Sequence, residues 1–188
     1  MELKDMVRNI PDFPKEGILF RDITPLIGDK DGFEQLIHHM ADYLRDKDID
    51  VVIGPEARGF VFSAAVAYAI HAGLVMARKP GKLPYKTISY QYGLEYGTDE
   101  LQIHVDSIKP GQRVAVIDDL LATGGTALAC AKLVEKAGGT VAACCFAIEL
   151  EDLKGRETLK GYPVDTILVY YFEKGTERIS GDPPLVLL

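Results

Sequence analysis

Short apolar runs alternate with longer helical patterns along most of the chain. The runs are apolar at consecutive positions, and they end in glycine, proline or acidic residues. Strands of this kind, separated by helices, are typical of a parallel sheet with both faces covered. We therefore predict an α/β fold with a central parallel sheet flanked by helices, joined by right-handed crossovers. The predicted strands are 50–54, 74–77, 113–117, 140–148 and 166–172.

The segments between the strands predict helices. Asp31 and Glu34 resemble a capping box, which predicts that the first long helix begins at Asp31. Two further helices are expected over 60–71 and 126–137. The first helix would turn one apolar stripe toward a core, formed by Phe33, Leu36, Ile37, Met40 and Leu44.

Two segments depart from this alternation. Residues 1–30 contain several prolines and glycines, which favour turns over a long helix. Residues 85–105 combine tyrosines and glycines with alternating polar residues, so we predict two antiparallel ribbons there. We interpret this long excursion as an active-site lid, with a structural hairpin or a dimer contact as the alternative. Because no repeat or linker divides the chain, we expect one domain over 1–188.

Composition narrows the class of protein. The 188 residues carry 21 Lys and Arg against 28 Asp and Glu, a net charge of −7. Nearly half are apolar, which excludes a disordered, collagen-like or disulfide-scaffold protein, and the acidic balance argues against nucleic-acid binding. No apolar stretch reaches the ~20 residues of a membrane span, and the N-terminus lacks a secretory pattern. Cys130, Cys144 and Cys145 have no zinc-site spacing, so we interpret them as reduced core thiols of a cytoplasmic protein.

The most specific motif is VAVIDDLLATGGT, residues 114–126. An apolar strand leads into two carboxylates, and a glycine-rich turn then opens a helix. Backbone N–H groups at a helix start can surround a phosphate, and paired glycines let the backbone approach it. The carboxylates would repel that phosphate and suit hydroxyl groups or a hydrated divalent cation nearby. The motif therefore indicates a ribose 5-phosphate site formed by Asp118, Asp119, Ala122, Thr123, Gly124, Gly125 and Thr126.

A second loop, IGPEARG at 53–59, also joins a strand end to a helix start. Its backbone N–H groups and the Arg58 guanidinium could hold a diphosphate. Arg78, Lys79 and Lys82 follow the next strand and add cations near the same edge of the sheet. A solvated surface position is the alternative for the two lysines.

The 114–126 motif resembles the phosphoribosyl diphosphate signature of the type I phosphoribosyltransferases. That signature pairs a hydrophobic strand and two acids with a Thr-Gly-Gly-Thr loop, and it is neither a Walker A loop nor a dinucleotide fingerprint. Further segments resemble the adenine-specific branch of this family, in order over most of the chain. They are PDFP (11–14), GILFRDITP (17–25), GKLP (81–84), LEYG (94–97) and ELEDLKGRETL (149–159).

The resemblance implies a type I phosphoribosyltransferase fold with an N-terminal hood, residues 1–30, and a flexible lid hairpin, residues 85–105. It implies that a 5-phosphoribosyl group passes from phosphoribosyl diphosphate to N9 of adenine, giving AMP and diphosphate. The implied enzyme is a cytoplasmic homodimer that uses Mg²⁺. No direct metal ligand is assigned, because the ion would be bound mainly through the substrate and through waters on Asp118 and Asp119.

The resemblance also assigns residues to the purine. Leu19 and Arg21 of the hood would lie beside the base, and Leu150 would pack on its opposite face. Core packing is the alternative for the two leucines. A backbone C=O and N–H pair of the hood would read the amino group and ring nitrogen of adenine.

Catalytic roles follow from the same resemblance. Glu95 would transfer a proton on the imidazole side of the purine, Arg58 would be the second catalytic residue, and Tyr96 would bind substrate. Glu56 and Ala57 would belong to the diphosphate loop and be joined by a cis peptide.

Two other functions stay open from the sequence. A 6-oxopurine enzyme of the xanthine type would keep the phosphate loop but should lack the adenine-type hood and lid segments. A nucleotide-sensing regulator of the same fold would need a DNA-contacting surface or an added domain, and this acidic sequence shows neither.

Overall fold

The computed structural model describes residues 2–94 and 97–171. Single 3₁₀ turns lie at Leu3–Met6 and Glu151–Leu153. The remaining elements, in chain order, are β1 (Arg8–Pro11), β2 (Leu19–Asp22), α1 (Thr24–Gly28), α2 (Lys30–Leu44), β3 (Val51–Pro55), α3 (Gly59–Ala69), β4 (Gly73–Ala77), β5 (Thr87–Leu94), β6 (Gly97–His104), β7 (Arg113–Leu121), α4 (Gly125–Lys136), β8 (Thr140–Leu150), α5 (Gly155–Thr158) and β9 (Val164–Tyr170).

Five strands form the central sheet, in the order β4-β3-β7-β8-β9, and every neighbouring pair is parallel. The prediction of a parallel α/β sheet is confirmed. β7 runs four residues past its predicted end because β8 also continues and pairs with it as far as Leu121↔Glu149. Asp118 and Asp119 therefore lie within a strand, and the prediction that they follow one was wrong. Phe172, the predicted end of the last strand, lies outside the described residues.

Alternation along β7 divides the core between the two faces of the sheet. Ala115 and Ile117 join the apolar cluster that includes α2 and α3 side chains, whereas Val114 and Val116 join the cluster that includes α4 side chains. Consecutive strand residues point to opposite faces, so a strand that is apolar throughout needs cover on both. The helices provide that cover, as the pattern predicted.

The N-cap of helix α2 lies two residues earlier than predicted, and the helix begins at Lys30. Asp29 is the N-cap, and its Oδ1 accepts hydrogen bonds from the N–H groups of Asp31 and Gly32 at 3.1 and 2.8 Å. The prediction of a capping box that starts at Asp31 was wrong. Asp29 stands where α1 has just ended, so its side chain is free of helical geometry and can turn back onto the first N–H groups.

The N-terminal residues form short elements rather than a long helix, as predicted. β1 and β2 pair in antiparallel register from Arg8↔Asp22 to Pro11↔Leu19. Lys4 Nζ donates a hydrogen bond to Val169 O at 3.1 Å, which places this region beside the end of β9. Its role as a hood over the purine stays a prediction.

Strands β5 and β6 form the antiparallel pair predicted within 85–105, in register from Thr87↔His104 to Leu94↔Gly97. Leu101 and Ile103 are buried against the α4 side of the sheet. The base of this β5–β6 hairpin is joined to the end of β4 by Arg78 and Gln102, whose backbones exchange hydrogen bonds of 2.8 and 2.9 Å. Over the residues described, no helix is long and apolar enough to cross a membrane.

Candidate active site

The loops that follow β3, β4 and β7 meet at one edge of the sheet. These strands are neighbours and parallel, so their carboxyl ends share that edge, where open α/β folds bind ligands. The predicted diphosphate loop follows β3, the predicted cations follow β4, and the predicted phosphate loop follows β7. The sheet order, which places β3 between the other two strands, brings all three together.

One short contact joins the two substrate loops. Arg58 Nε donates a hydrogen bond to Asp119 Oδ2 at 2.5 Å, although 61 positions separate the two residues in sequence. Arg58 lies at the start of α3, and Asp119 lies in β7. A cation of the predicted diphosphate loop is therefore paired with a carboxylate of the predicted ribose site.

The other carboxyl, Asp118, is buried and has an altered acidity. Its Oδ1 accepts a hydrogen bond from the N–H of Asp119 at 2.8 Å. Burial, and after it the negative charge of Asp119, raises the pKa of Asp118 well above its usual range. A raised pKa favours the protonated carboxyl, which can donate as well as accept a hydrogen bond.

The diphosphate loop contains the cis peptide that was expected at Glu56-Ala57. The N–H of Glu56 donates to Ala77 O at 2.9 Å, which ties the loop to the end of β4. Its carboxylate accepts a hydrogen bond from Arg78 Nε at 2.7 Å. Two predicted substrate-binding residues are therefore partners of each other, and Arg78 is held beside the loop.

The two lysines that follow β4 differ in their surroundings. Lys79 Nζ forms an ion pair with Asp99 of β6. Lys82 is exposed, and its backbone carbonyl accepts a long hydrogen bond from Arg78 Nη1 at 3.5 Å. The surface alternative therefore describes the Lys82 side chain better than that of Lys79.

The phosphate loop has the backbone geometry of a helix start. Gly124 adopts a φ of +85°, a conformation that side chains with a Cβ disfavour, and α4 begins at Gly125. The first N–H groups of a helix have no carbonyl partner within it and lie at the positive end of its dipole. Residues 122–126 therefore present the donors that an anion needs.

Helix α5 packs directly against this loop, a contact that the sequence reasoning missed. Thr158 Oγ1 donates a hydrogen bond to Thr123 O at 2.6 Å. A Cβ on Gly155 would lie 2.4 Å from Ala122 O, so the close approach requires glycine. The segment 149–159 that resembles the family contains Gly155 and Thr158, but the resemblance implied no role for either residue.

Buried Glu149, near the end of β8, holds α5 in place. Its carboxylate oxygens accept hydrogen bonds from Arg156 Nε and Nη2 at 2.8 and 2.9 Å, and from Thr166 Oγ1 at 2.6 Å. Burial by itself would raise the pKa of Glu149, but these hydrogen bonds outweigh it and lower the pKa. The ionised carboxylate therefore fixes α5 over the phosphate loop, and no motif in the sequence indicated this.

The predicted purine-binding residues differ in their exposure and in their contacts. Leu19 of β2 is 37% exposed, whereas Leu150, the last residue of β8, is buried and belongs to the core cluster on the α2 and α3 side of the sheet. The Arg21 guanidinium stacks on the Tyr170 ring, 4.6 Å from its centroid, and donates to Asn9 Oδ1. Glu95 and Tyr96, the residues predicted for proton transfer and substrate binding in the lid, lie outside the described residues.

A divalent cation fits this site only together with a substrate. Across residues 2–94 and 97–171, no group of three or more His, Cys, Asp or Glu side chains could hold a metal ion. Mg²⁺ usually keeps several waters and binds through one or two carboxylates plus substrate phosphates. Asp118 and Asp119 offer that donor set beside the two predicted phosphate-binding loops.

Comparison with known proteins gives the family. A family model described as a phosphoribosyl transferase domain matches residues 27–178. An adenine phosphoribosyltransferase from Clostridium perfringens is 59% identical over 170 residues, which cover 90% of this chain and 99% of that protein. The chain belongs to the adenine phosphoribosyltransferase family.

Solved structures of this family have the same fold. An adenine phosphoribosyltransferase from Thermoanaerobacter pseudethanolicus aligns with a TM-score of 0.86 at 51% identity, covering 89% of this chain and 98% of that one. The Saccharomyces cerevisiae enzyme, solved with an imino-altritol bisphosphate and adenine, aligns with a TM-score of 0.83 at 39% identity, covering 88% and 96%. The type I phosphoribosyltransferase fold is therefore confirmed, and the chain is a phosphoribosyltransferase.

Proposed function

We propose that this protein transfers the 5-phosphoribosyl group of phosphoribosyl diphosphate to N9 of adenine, giving AMP and diphosphate. Membership of the adenine phosphoribosyltransferase family gives the reaction class. The observation that carries the assignment of the site is the Arg58–Asp119 hydrogen bond, because it unites the two loops that the reaction needs. The bond between C1′ and the diphosphate oxygen breaks, the C1′–N9 bond forms, and the N9 proton is lost.

Each part of phosphoribosyl diphosphate has a proposed place. The 5-phosphate lies on the backbone N–H groups of residues 122–126, since that helix start favours an anion. The diphosphate lies between the 56–58 loop and the cations that follow β4, namely Arg78, Lys79 and Lys82. Asp118 and Asp119, at the end of β7, contact the ribose hydroxyls, which can donate hydrogen bonds to carboxyl oxygens.

Mg²⁺ is the proposed cofactor. Asp118 and Asp119 would hold it through waters while the substrate phosphates supply the remaining oxygens. When bound, the ion neutralises charge on the diphosphate and so improves it as a leaving group. Removal of Mg²⁺ by a chelator should therefore abolish turnover.

The purine is proposed to bind between the hood, through Leu19 and Arg21, and Leu150 at the end of β8. A flat base needs apolar walls and a few polar groups that fix its orientation. Arg21 is already held by stacking on Tyr170, which supports a defined position for this side chain. The yeast relative, at 39% identity, was solved with adenine, and this supports adenine as the base for this chain.

Proton transfer and charge stabilisation are proposed for different residues. Glu95 serves the imidazole side of adenine, and a group in that role contributes about 10²–10⁴-fold in rate. Arg58 stabilises negative charge on the departing diphosphate from the start of α3. Tyr96 binds substrate beside Glu95, and closure of the lid excludes water that would capture the ribosyl cation.

We also propose that the protein is a homodimer in the cytoplasm. Val61, Tyr68, Leu74 and Met76 are exposed apolar residues on α3 and on β4, the edge strand of the sheet, and a second copy would cover them. Three free, buried cysteines support a reducing compartment. Light scattering behind a sizing column should give twice the monomer mass, and a monomer mass would contradict the dimer.

A steady-state assay with four bases tests the proposed function. Phosphoribosyl diphosphate and Mg²⁺ are held constant, and adenine, hypoxanthine, xanthine and guanine are compared by kcat/KM. We expect adenine to exceed each 6-oxopurine by about 10⁴-fold, because a 6-oxopurine leaves buried donors and acceptors unpaired. A preference for xanthine would instead indicate a 6-oxopurine phosphoribosyltransferase. No turnover with any of the four bases would indicate a nucleotide-binding regulator.

A further inference from the structure

The β5–β6 hairpin contacts the phosphate loop through Tyr92. The Tyr92 side chain is buried, and its ring would lie 3.4 Å from a Cβ placed on Gly125, the first residue of α4. This contact places the ring against the first residue of the helix that follows the phosphate loop. Burial is the main cause that raises the pKa of Tyr92 to about 12, so the hydroxyl keeps its proton and can donate it.

The acceptor for that proton is Asp99. Tyr92 and Asp99 are directly opposite each other in the hairpin, and Tyr92 Oη donates to Asp99 Oδ2 at 3.0 Å. The same oxygen of Asp99 pairs with the Lys79 ammonium, and the other accepts from the N–H of Glu100 at 2.8 Å. Burial works against the ionised form, but these hydrogen bonds outweigh it and lower the pKa of Asp99. Asp99 is therefore a carboxylate with three donors around it.

These contacts link both ends of the proposed phosphoribosyl diphosphate site. Lys79 belongs to the diphosphate end and Gly125 to the 5-phosphate end, and the pair Tyr92–Asp99 lies between them. An ammonium group has three donors, so Lys79 can contact Asp99 and still offer hydrogen bonds to a diphosphate. A side chain held in this way loses less entropy when substrate binds.

We propose that Tyr92 and Asp99 are positioning residues, which hold Lys79 and the start of α4 at Gly125 in the arrangement that binds phosphoribosyl diphosphate and so make the hairpin part of that site. This inference rests on the proposed function for the identity of the substrate. The pair Tyr92–Asp99 connects the β5–β6 hairpin to the phosphate loop and to Lys79. The residues of the two substrate loops alone do not make this connection.

Two single variants and their combination test the proposal. Tyr92→Phe removes one hydroxyl and keeps the ring, and Asp99→Asn keeps the shape but removes the charge. Glu100→Gln is the matched control, because Glu100 neighbours Asp99 in β6 and its carboxylate oxygens accept hydrogen bonds from the side chains of Gln91 and Gln102. Dissociation constants for phosphoribosyl diphosphate are measured by calorimetry with Mg²⁺, and KM and kcat are measured with both substrates.

We expect each single variant to weaken binding of phosphoribosyl diphosphate and to raise its KM about five- to twentyfold, with the KM for adenine within about twofold. The double variant should bind phosphoribosyl diphosphate about as tightly as the single variant with the lower affinity, because both changes break the same hydrogen-bond network. Glu100→Gln should match the unaltered protein. The part-exposed Asp99 carries the test by itself if Tyr92→Phe does not fold.

Four results would overturn the proposal. Binding by both variants could match the control, the two effects could multiply, or the change could fall on adenine rather than phosphoribosyl diphosphate. Tighter binding by Asp99→Asn would also overturn it, since Asp99 would then only repel the diphosphate. Calorimetry does not need turnover, so a failure of the proposed function, seen as no AMP from the unaltered protein, is distinguishable from a failure here.

Discussion

Replacement of Gly124 by alanine tests the geometry of the phosphate loop most directly. Gly124 has a φ of +85°, and its new Cβ would lie 2.8 Å from Gly155 O and 3.0 Å from Thr158 Cβ. This Cβ collides with α5, so the loop and α5 must separate by several tenths of an ångström before alanine fits.

The loss of stability expected for Gly124→Ala has two separate contributions. A left-handed conformation costs an alanine about 1–2 kcal/mol, and an overpacked contact adds about 1–3 kcal/mol. A loop displaced from α5 also misplaces the N–H groups that would bind the 5-phosphate. Hydrogen bonds to a charged group contribute about 1.5–3 kcal/mol each, so the loss of one such bond weakens phosphoribosyl diphosphate binding about ten- to hundredfold.

Gly111→Ala separates the two costs. Gly111 has the same φ of +85°, but a Cβ there would meet nothing within 4 Å. We expect both variants to lose stability in chemical denaturation, Gly124→Ala by more, and only Gly124→Ala to lose affinity in calorimetry with phosphoribosyl diphosphate and Mg²⁺. Equal affinity of Gly124→Ala and Gly111→Ala would refute the assignment of this loop.

Three further predictions concern the support of the site and the lid. Glu149→Gln should destabilise the fold by about 1–3 kcal/mol at neutral pH, because it weakens the hydrogen bonds from Arg156. The pKa of Glu149 is lowered in the folded state, so the difference in melting temperature between the variant and the unaltered protein should shrink as the pH falls below about 4.3 and through the folded-state pKa. A difference that stays constant with pH would contradict this. Thr158→Val should raise the KM for phosphoribosyl diphosphate about threefold to tenfold by releasing the Thr123 carbonyl, and Thr158→Ser should restore it; equal KM values in both variants would show that the hydrogen bond has no role. Glu95→Gln should lower kcat about 10²–10⁴-fold while the calorimetric affinity for phosphoribosyl diphosphate stays within about twofold, and full turnover would remove Glu95 from the mechanism.

The architecture could be predicted because its signals are local. Continuous apolar runs separated by helical stripes report that a sheet is covered on both faces, wherever each strand lies in that sheet. The helix start that follows the two acids and the glycines was equally predictable, because these residues are contiguous, and the binding of a phosphate there stays a prediction. Both conclusions needed only the spacing of neighbouring residues.

Element ends were predicted less well because they depend on partners that are distant in sequence. β7 continues through Asp118 and Asp119 only because β8 continues beside it, and a single strand carries no record of its neighbour's length. The cap of α2 was misplaced for a related reason. Asp29 and Asp31 are equally good caps by residue type, and the end of α1 decides between them.

The sequence by itself determined the sheet-and-helix pattern and the chemistry of each loop, and tertiary structure alone decided which loops act together. The pairs Arg58–Asp119, Thr158–Thr123 and Lys79–Asp99 each join segments at least 20 positions apart. Local periodicity leaves strand order open. The placement of β7 between β3 and β8 brings the first two pairs within hydrogen-bonding distance, whereas the hairpin joined to the end of β4 brings Asp99 to Lys79. A hydrogen bond requires atoms about 3 Å apart, and only the folded chain fixes distances of that size between remote residues.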